Sequence, residues 1–337
     1  MKRILIAIML IAGLSMTAAA QEGAPEVKTK GKMKIADTVY KTKVLVYESQ
    51  FAVRDTCTLS MDIYKPDDNR TGRPCVVFVY GGGFVTNNQR VESVISFCND
   101  MAAEGFVTVA TDYRLGLKGL DNSGTKMISN MDNALKMSTE DLFSAVEYLI
   151  AHADELGIDP AQIILIGSSA GAITVLQADY ELGNGGPLAA AMPEGFRFAG
   201  VVSLAGAIFS HDGKCKWRVQ PPAPTLFLHG TSDKLVTYDQ IKFFKLGFFG
   251  TKQLVKRFEK FGYPYMCIRF TDRFHEVAAF QNLCFEEINW FIKKYVFEKR
   301  NWKIDATITD PDFDLAEPWN FSTKDVYGKD SELLKDK

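Results

Sequence analysis

Short, unbroken apolar runs recur along the chain: Val76 to Val79, Val107 to Ala110, Ile163 to Ile166, Val201 to Leu204, Thr225 to Leu228 and Tyr265 to Phe270. Runs of this length without polar alternation suit strands buried on both faces, as in a parallel sheet. Upstream, Tyr40 to Tyr64 is β-rich and alternating, most clearly over Thr58-Leu59-Ser60-Met61-Asp62-Ile63-Tyr64, and predicts two antiparallel strands. Between the runs the period changes. Glu140 to Leu156 carries Leu142, Ala145, Val146, Leu149 and Ile150 at the spacing of a helix face packed on a sheet, and Ala172 to Leu182 is a second helical stretch. The alternation of strand and helix predicts an α/β fold: a mostly parallel sheet of about eight strands, right-handed crossovers, helices on both faces and a small cap. Such folds place their sites beyond the carboxyl ends of the strands. One domain over residues 35–300 fits this pattern, with residues 21–34 as a polar leader and residues 301–337 as a C-terminal extension rich in charges, Pro311, Pro318, Trp319 and Phe321.

The first twenty residues follow other rules. Lys2 and Arg3 precede an apolar run from Ile4 to Met16, and Ala18-Ala19-Ala20 precedes Gln21. That is the order of a secretory signal peptide, with cleavage expected after Ala20. The run is shorter than the roughly 20 residues that span a bilayer, so no stable membrane anchor is expected. Export to the periplasm or the medium is the expectation. Hydrophobic residues make up 47% of the 337 and charged residues 24%, the proportions of a globular protein. Lys and Arg total 39 against 41 Asp and Glu with no long basic run, which argues against a nucleic-acid partner. Six cysteines in an exported chain raise the question of disulfides. Cys75, Cys267 and Cys284 sit in apolar surroundings and read as core residues; Cys57, Cys98 and Cys215 remain open to pairing. No Cys-x-x-Cys or Cys/His cluster points to a metal, and none is expected.

Gly167-Ser168-Ser169-Ala170-Gly171 lies between the strand Ile163 to Ile166 and the helical stretch that follows. This is the strand, sharp turn and helix context of a Gly-x-Ser-x-Gly nucleophile elbow, with Ser169 as the nucleophile and Ser168 its neighbour. A serine hydroxyl needs a base to take its proton and an acid to orient that base. The chain has four histidines. His152 sits in the amphipathic helix, His211 in the polar loop Ser210-His211-Asp212-Gly213, and His229 at the end of a strand just before the candidate acid. His275 follows the last apolar run and is favoured as the base, because triads of this kind run Ser, acid, His along the chain. Asp233, in the loop after Thr225 to Leu228, is the favoured acid over Asp212 and over Asp239, which reads as the start of a following helix. Tyr80-Gly81-Gly82-Gly83-Phe84 follows Val76 to Val79 and frees backbone N–H groups to face a ligand. The expected oxyanion donors are the N–H groups of Gly82, Gly83 and Ala170.

Together, Tyr80-Gly81-Gly82-Gly83-Phe84, Asp112-Tyr113-Arg114-Leu115, Asp159-Pro160 and Gly167-Ser168-Ser169-Ala170-Gly171 resemble the hormone-sensitive-lipase-like and related carbohydrate-esterase branch of the α/β-hydrolases, over roughly residues 40 to 298. There the glycine motif usually begins with His; here it begins with Tyr80, an aromatic that also occurs at this place in cholinesterase-like carboxylesterases. The resemblance implies an α/β-hydrolase fold, ester hydrolysis through an acyl-enzyme, no cofactor, and structural support of the oxyanion region by Asp112 and Arg114.

The expected substrate is a small-molecule or polysaccharide ester. The candidate cap segments, Lys118 to Lys136 and Gly183 to Arg197, are polar and glycine-rich rather than the apolar lid of a lipase, which favours short acyl groups such as acetyl. Phe84, Phe209 and Trp217 are candidate substrate-binding aromatics and keep a feruloyl esterase in view. A serine exopeptidase-like hydrolase and a non-catalytic ligand-binding relative are two further readings of the same fold; the latter typically lacks a triad member, and all three are present here.

Overall fold

The computed structural model describes residues 44–54, 57–86, 88–120, 122, 126–309 and 318–328. The signal peptide and leader expected over residues 1–34 lie outside the described residues.

Two strands open the fold, β1 (Val44–Arg54) and β2 (Cys57–Pro66), paired antiparallel as their alternation predicts. The apolar runs become β3 (Arg73–Val79), β4 (Val107–Thr111), β5 (Ile158–Ser168), β6 (Gly200–Leu204), β8 (Thr225–Gly230) and β11 (Tyr265–Phe270). They form a nine-stranded sheet of order β1-β2-β4-β3-β5-β6-β8-β11-β12. From β4 to β12 every neighbour is parallel, and β2 meets β4 antiparallel. Val77, Ile164, Leu165, Val201 and Leu226 are fully buried in this sheet, the fate of runs apolar on both faces.

The far edge comes from the C-terminal extension. β12 (Lys303–Ile308) alternates exposed and half-buried residues, as an edge strand does, and Asp305 pairs with Arg269 of β11. Its alternation is short and lies among charges, which hid it in the sequence.

The helices are α1 (Glu92–Ala103), α2 (Lys126–Ala151), α3 (Ala153–Leu156), α4 (Ala170–Asn184), α5 (Thr251–Phe261), α6 (Phe285–Phe291) and α7 (Thr323–Tyr327). α2 begins fourteen residues before its expected start at Glu140, so much of the polar segment Lys118 to Lys136 is its first three turns. A second, small antiparallel sheet, β7 (Ala207–Ser210), β10 (Leu246–Gly250) and β9 (Gln240–Phe243), stands where a helix was expected to follow Asp239. Asp239 therefore precedes a hairpin, and the helix begins only at Thr251. At Gly250 a Cβ would lie 1.8 Å from the Thr237 carbonyl oxygen, so glycine lets the chain close tightly on itself before it turns into α5.

All six cysteines are free thiols, Cys57 exposed and the rest buried. Burial pushes the Cys75 and Cys267 thiols up to about 12, which keeps them as inert packing groups. Among the described residues no helix is long and apolar enough to cross a membrane.

Candidate active site

The turn from β5 into α4 sets Ser169 at φ 51° and ψ −116°, a conformation that side chains rarely adopt. It persists because the flanking glycines let backbones meet. A Cβ at Gly171 would lie 2.0 Å from the Val79 carbonyl oxygen, and one at Gly167 would lie 2.3 Å from that of Gly171. The Ser169 N–H donates to the Leu204 carbonyl at 2.9 Å, tying the turn to the end of β6.

His275 begins a 3-10 turn after β11, and Asp233 lies in the loop after β8, its neighbour in the sheet. The two loops bring three distant residues into one line. Ser169 Oγ lies 2.8 Å from His275 Nε2, and His275 Nδ1 lies 2.8 Å from Asp233 Oδ2. The other oxygen, Asp233 Oδ1, accepts the N–H groups of Leu235 at 2.9 Å and Val236 at 3.0 Å. Burial alone would raise the pKa of this carboxyl, but hydrogen bonds and electrostatic interaction with His229 and His275 outweigh it. The carboxyl is held well below the usual carboxylate range.

The remaining candidates separate by distance. His229 is fully buried; its Nδ1 lies 2.8 Å from Thr251 Oγ1, and its Nε2 lies 3.1 Å from the Val236 carbonyl and 3.3 Å from Asp233 Oδ2. It packs against the acid, at the same oxygen that faces His275. His152 pairs with Glu155 and His211 with Asp132, both at the surface. Asp212 pairs with Arg218, and Asp239 with Lys252.

The glycine loop faces the nucleophile. Gly82, Gly83 and Phe84 all take positive φ (123°, 65° and 59°), and a Cβ at Gly81 would touch Ser169 Cβ at 3.1 Å. Gly81, Gly82 and Gly83 line a cleft of about 290 Å³ together with Ser168, Ser169 and His275. Beneath the loop, Tyr80 stacks on Tyr113 at 4.6 Å and donates its hydroxyl to Asp112 at 2.8 Å, while Tyr113 donates to the Tyr80 carbonyl at 3.1 Å. Burial raises both phenols' pKa values and keeps them as donors. Arg114 binds the fully buried Asp141 at 2.9 Å.

The sequence-chosen aromatics do not share one slot. The positive φ of Phe84 turns its ring inward, where it is 1% exposed and packs edge-on to Tyr113. Trp217 packs against Phe258, Tyr180 and Tyr263 and lines neither the cleft at Ser169 nor the apolar cavity next to it. Both are corrections to the expected substrate contacts. Phe209 lines a separate apolar cavity of about 250 Å³ with Met131, Ile173 and Phe248, which adjoins the cleft across Leu235.

Four contacts were not read from sequence. Ser168 Oγ donates to the Ala278 carbonyl at 2.7 Å, holding the histidine turn to the elbow. Glu276, fully buried, accepts from the N–H groups of Phe274 at 3.1 Å and Trp319 at 3.0 Å. Trp319 and Phe321 line the cleft itself, and Tyr327 donates to the Gly83 carbonyl at 3.1 Å. The one available signal was Trp319-Asn320-Phe321, two large aromatics in a polar tail. Among the described residues no three His, Cys, Asp or Glu side chains gather as a metal-holding group.

The solved esterase 2 of Thermogutta terrifontis superposes with TM-score 0.55 at 20% identity, covering 74% of this chain and 92% of that one. Its butyrate-bound form superposes with TM-score 0.56 at 20% identity, covering 77% and 96%. The chain has the α/β-hydrolase fold. A family model described as BD-FAE matches residues 61–184 of this chain, from β2 through the elbow to the end of α4. Gut esterase 1 of Caenorhabditis elegans is 28% identical over 119 residues, which cover 35% of this chain and 20% of that protein. Cholinesterase 1 of Branchiostoma lanceolatum is 27% identical over 117 residues, covering 35% and 31%. The chain thus spans between a fifth and a third of the length of these curated relatives.

Proposed function

We propose that this chain is an exported serine carboxylic ester hydrolase of the α/β-hydrolase superfamily that removes short acyl groups, acetyl above all, from carbohydrate or small esters. The observation that carries the reading is the unbroken relay from Ser169 Oγ through His275 to Asp233, facing a glycine loop. In this mechanism Ser169 attacks the ester carbonyl while His275 Nε2 takes its proton, and Asp233 holds the Nδ1 proton and stabilises the imidazolium. The N–H groups of Gly82, Gly83 and Ala170 receive the oxyanion. The alcohol leaves with the proton from His275, and water activated by the same ring releases the acyl group from Ser169. No cofactor takes part.

The preference for short acyl groups draws support from Thermogutta terrifontis esterase 2, which has been solved with propionate and with butyrate bound. A second reading, a feruloyl esterase, is favoured by the apolar cavity around Phe209 and Phe248, which has the volume for an aromatic acyl group. An acyl-chain-length series on the purified protein tests both. Each methylene accommodated in an apolar pocket contributes about 0.8 kcal/mol, so rates that rise from acetyl to octanoyl esters contradict the short-acyl reading. Acetate released from acetylated xylan, set against ferulate released from a feruloyl ester, chooses between the two. Release of neither leaves a general carboxylesterase, and failure to cleave any ester or to label with a fluorophosphonate removes the esterase reading.

A further inference from the structure

Residues 318–328 line the cleft through Trp319, Phe321 and Val326 and bond to the loops of His275, Asp233 and the glycines. Trp319 is clamped by its N–H to Glu276 and by its carbonyl, which accepts from the His275 N–H at 3.4 Å. Asn320 Oδ1 accepts from Lys234, the residue after Asp233, at 3.0 Å. α7 is secured by a capping box of Ser322 and Asp325, and at its end the buried Tyr327 reaches Gly83. These anchors hold two aromatic rings at a defined place. Trp319 and Phe321 stack 6.1 Å apart at 28°, Phe321 is 39% exposed, and the Trp319 ring centre lies 6.4 Å from that of His275.

On the same cleft lies Gln281. It is 3% exposed, yet its Oε1 has no hydrogen-bond partner among the described residues. A buried acceptor without a donor is costly unless a ligand supplies one. A flat apolar platform and a buried acceptor on one cleft fit a ligand with an apolar ring face and hydroxyls around its edge. A sugar ring has that form: its C–H face packs on the negative face of an aromatic ring, and its hydroxyls donate. An aromatic acyl group has its own apolar cavity on the far side of Leu235.

We propose that Trp319, Phe321 and Gln281 form a subsite for a sugar ring, the alcohol part of the ester, built from residues outside the stretch 61–184 matched by the family model. The proposal rests on the esterase reading above. Its test compares kcat/KM for xylose tetraacetate with kcat/KM for ethyl acetate, which has no ring, in the wild type and in Trp319→Ala, Phe321→Ala and Gln281→Leu. The ratio of sugar ester to ethyl ester falls about tenfold in Trp319→Ala, the scale of one lost aromatic contact, and falls in the other two as well. Trp319→Phe restores most of it. Equal losses on both esters make the segment a brace for the catalytic loops and overturn the subsite, as does an unchanged ratio. Phe321, the more exposed ring, keeps the test open if Trp319→Ala does not fold. A wild type that cleaves ethyl acetate but not the sugar ester overturns the subsite and leaves the esterase reading intact; cleavage of neither overturns both.

Discussion

Replacing Asp233 by asparagine changes one oxygen to an NH2 group, and the structure dictates which one. Oδ1 receives two backbone N–H groups, from Leu235 and Val236, whereas Oδ2 faces the rings of His275 and His229. The carbonyl of the new amide therefore takes the Oδ1 position, and its NH2 points at His275 Nδ1. That nitrogen must then accept rather than donate, so the ring carries its proton on Nε2, facing Ser169, and is useless as a base. The reversed amide would keep the productive tautomer but would set its NH2 against two backbone donors. Two lost hydrogen bonds at about 1.5 kcal/mol each, roughly 3 kcal/mol together, limit that orientation to about 1% of molecules. The expected loss in kcat lies between about 10²-fold and about 10⁴-fold, the upper figure being the scale seen when a triad carboxylate is so replaced. Hydrolysis of a short ester, followed with matched circular dichroism spectra for the two proteins, measures it. An Asp233→Asn enzyme that keeps more than about a tenth of wild-type kcat refutes the argument that this carboxylate sets the tautomer.

Ser169→Ala is expected to abolish turnover and fluorophosphonate labelling with the fold intact, whereas Ser168→Ala loses one hydrogen bond to the Ala278 carbonyl and keeps activity within about tenfold; labelling that survives in the first and vanishes in the second would reverse the assignment. Gly171→Ala drives a methyl group into the Val79 carbonyl and is expected to cost more than about 3 kcal/mol, read as a lower denaturant midpoint. Arg114→Ala strands the fully buried Asp141 carboxylate and should cost about 3 to 5 kcal/mol, while the double change with Asp141→Leu recovers part of that loss. Because native Asp233 titrates below its unfolded value of about 3.9, its contribution to stability is complete above that pH and disappears as the pH falls toward the lower native value. The stability difference between wild type and Asp233→Asn should therefore narrow between neutral pH and about pH 3 in denaturant titrations.

Local pattern was enough for the central sheet and for the line of catalytic candidates. Runs such as Ile163 to Ile166 are apolar at every position because both faces of the sheet are covered, and that cause is visible in one dimension. The elbow is legible for the same reason: Gly167 and Gly171 answer contacts made within a few residues of Ser169 and with the strand beside it. Chain order and strand ends were enough to prefer Asp233 and His275 over their rivals, because each loop follows its own strand. Other features depended on partners far apart in sequence. The inward turn of Phe84 follows from a positive φ in the glycine loop, and the seclusion of Trp217 follows from the cluster around α5; no spacing encodes either. The hairpin β9 to β10 replaces an expected helix because tertiary pairing with β7 outweighs local propensity. β12 and residues 318–328 show the limit most plainly. Their residues are polar and charged, with only a weak alternation or two stray aromatics to mark them. The place of residues 318–328 beside His275 is decided by Glu276, Lys234 and Gly83, whose bonds to that segment span 43, 86 and 244 residues and form only when the folded chain brings the partners together.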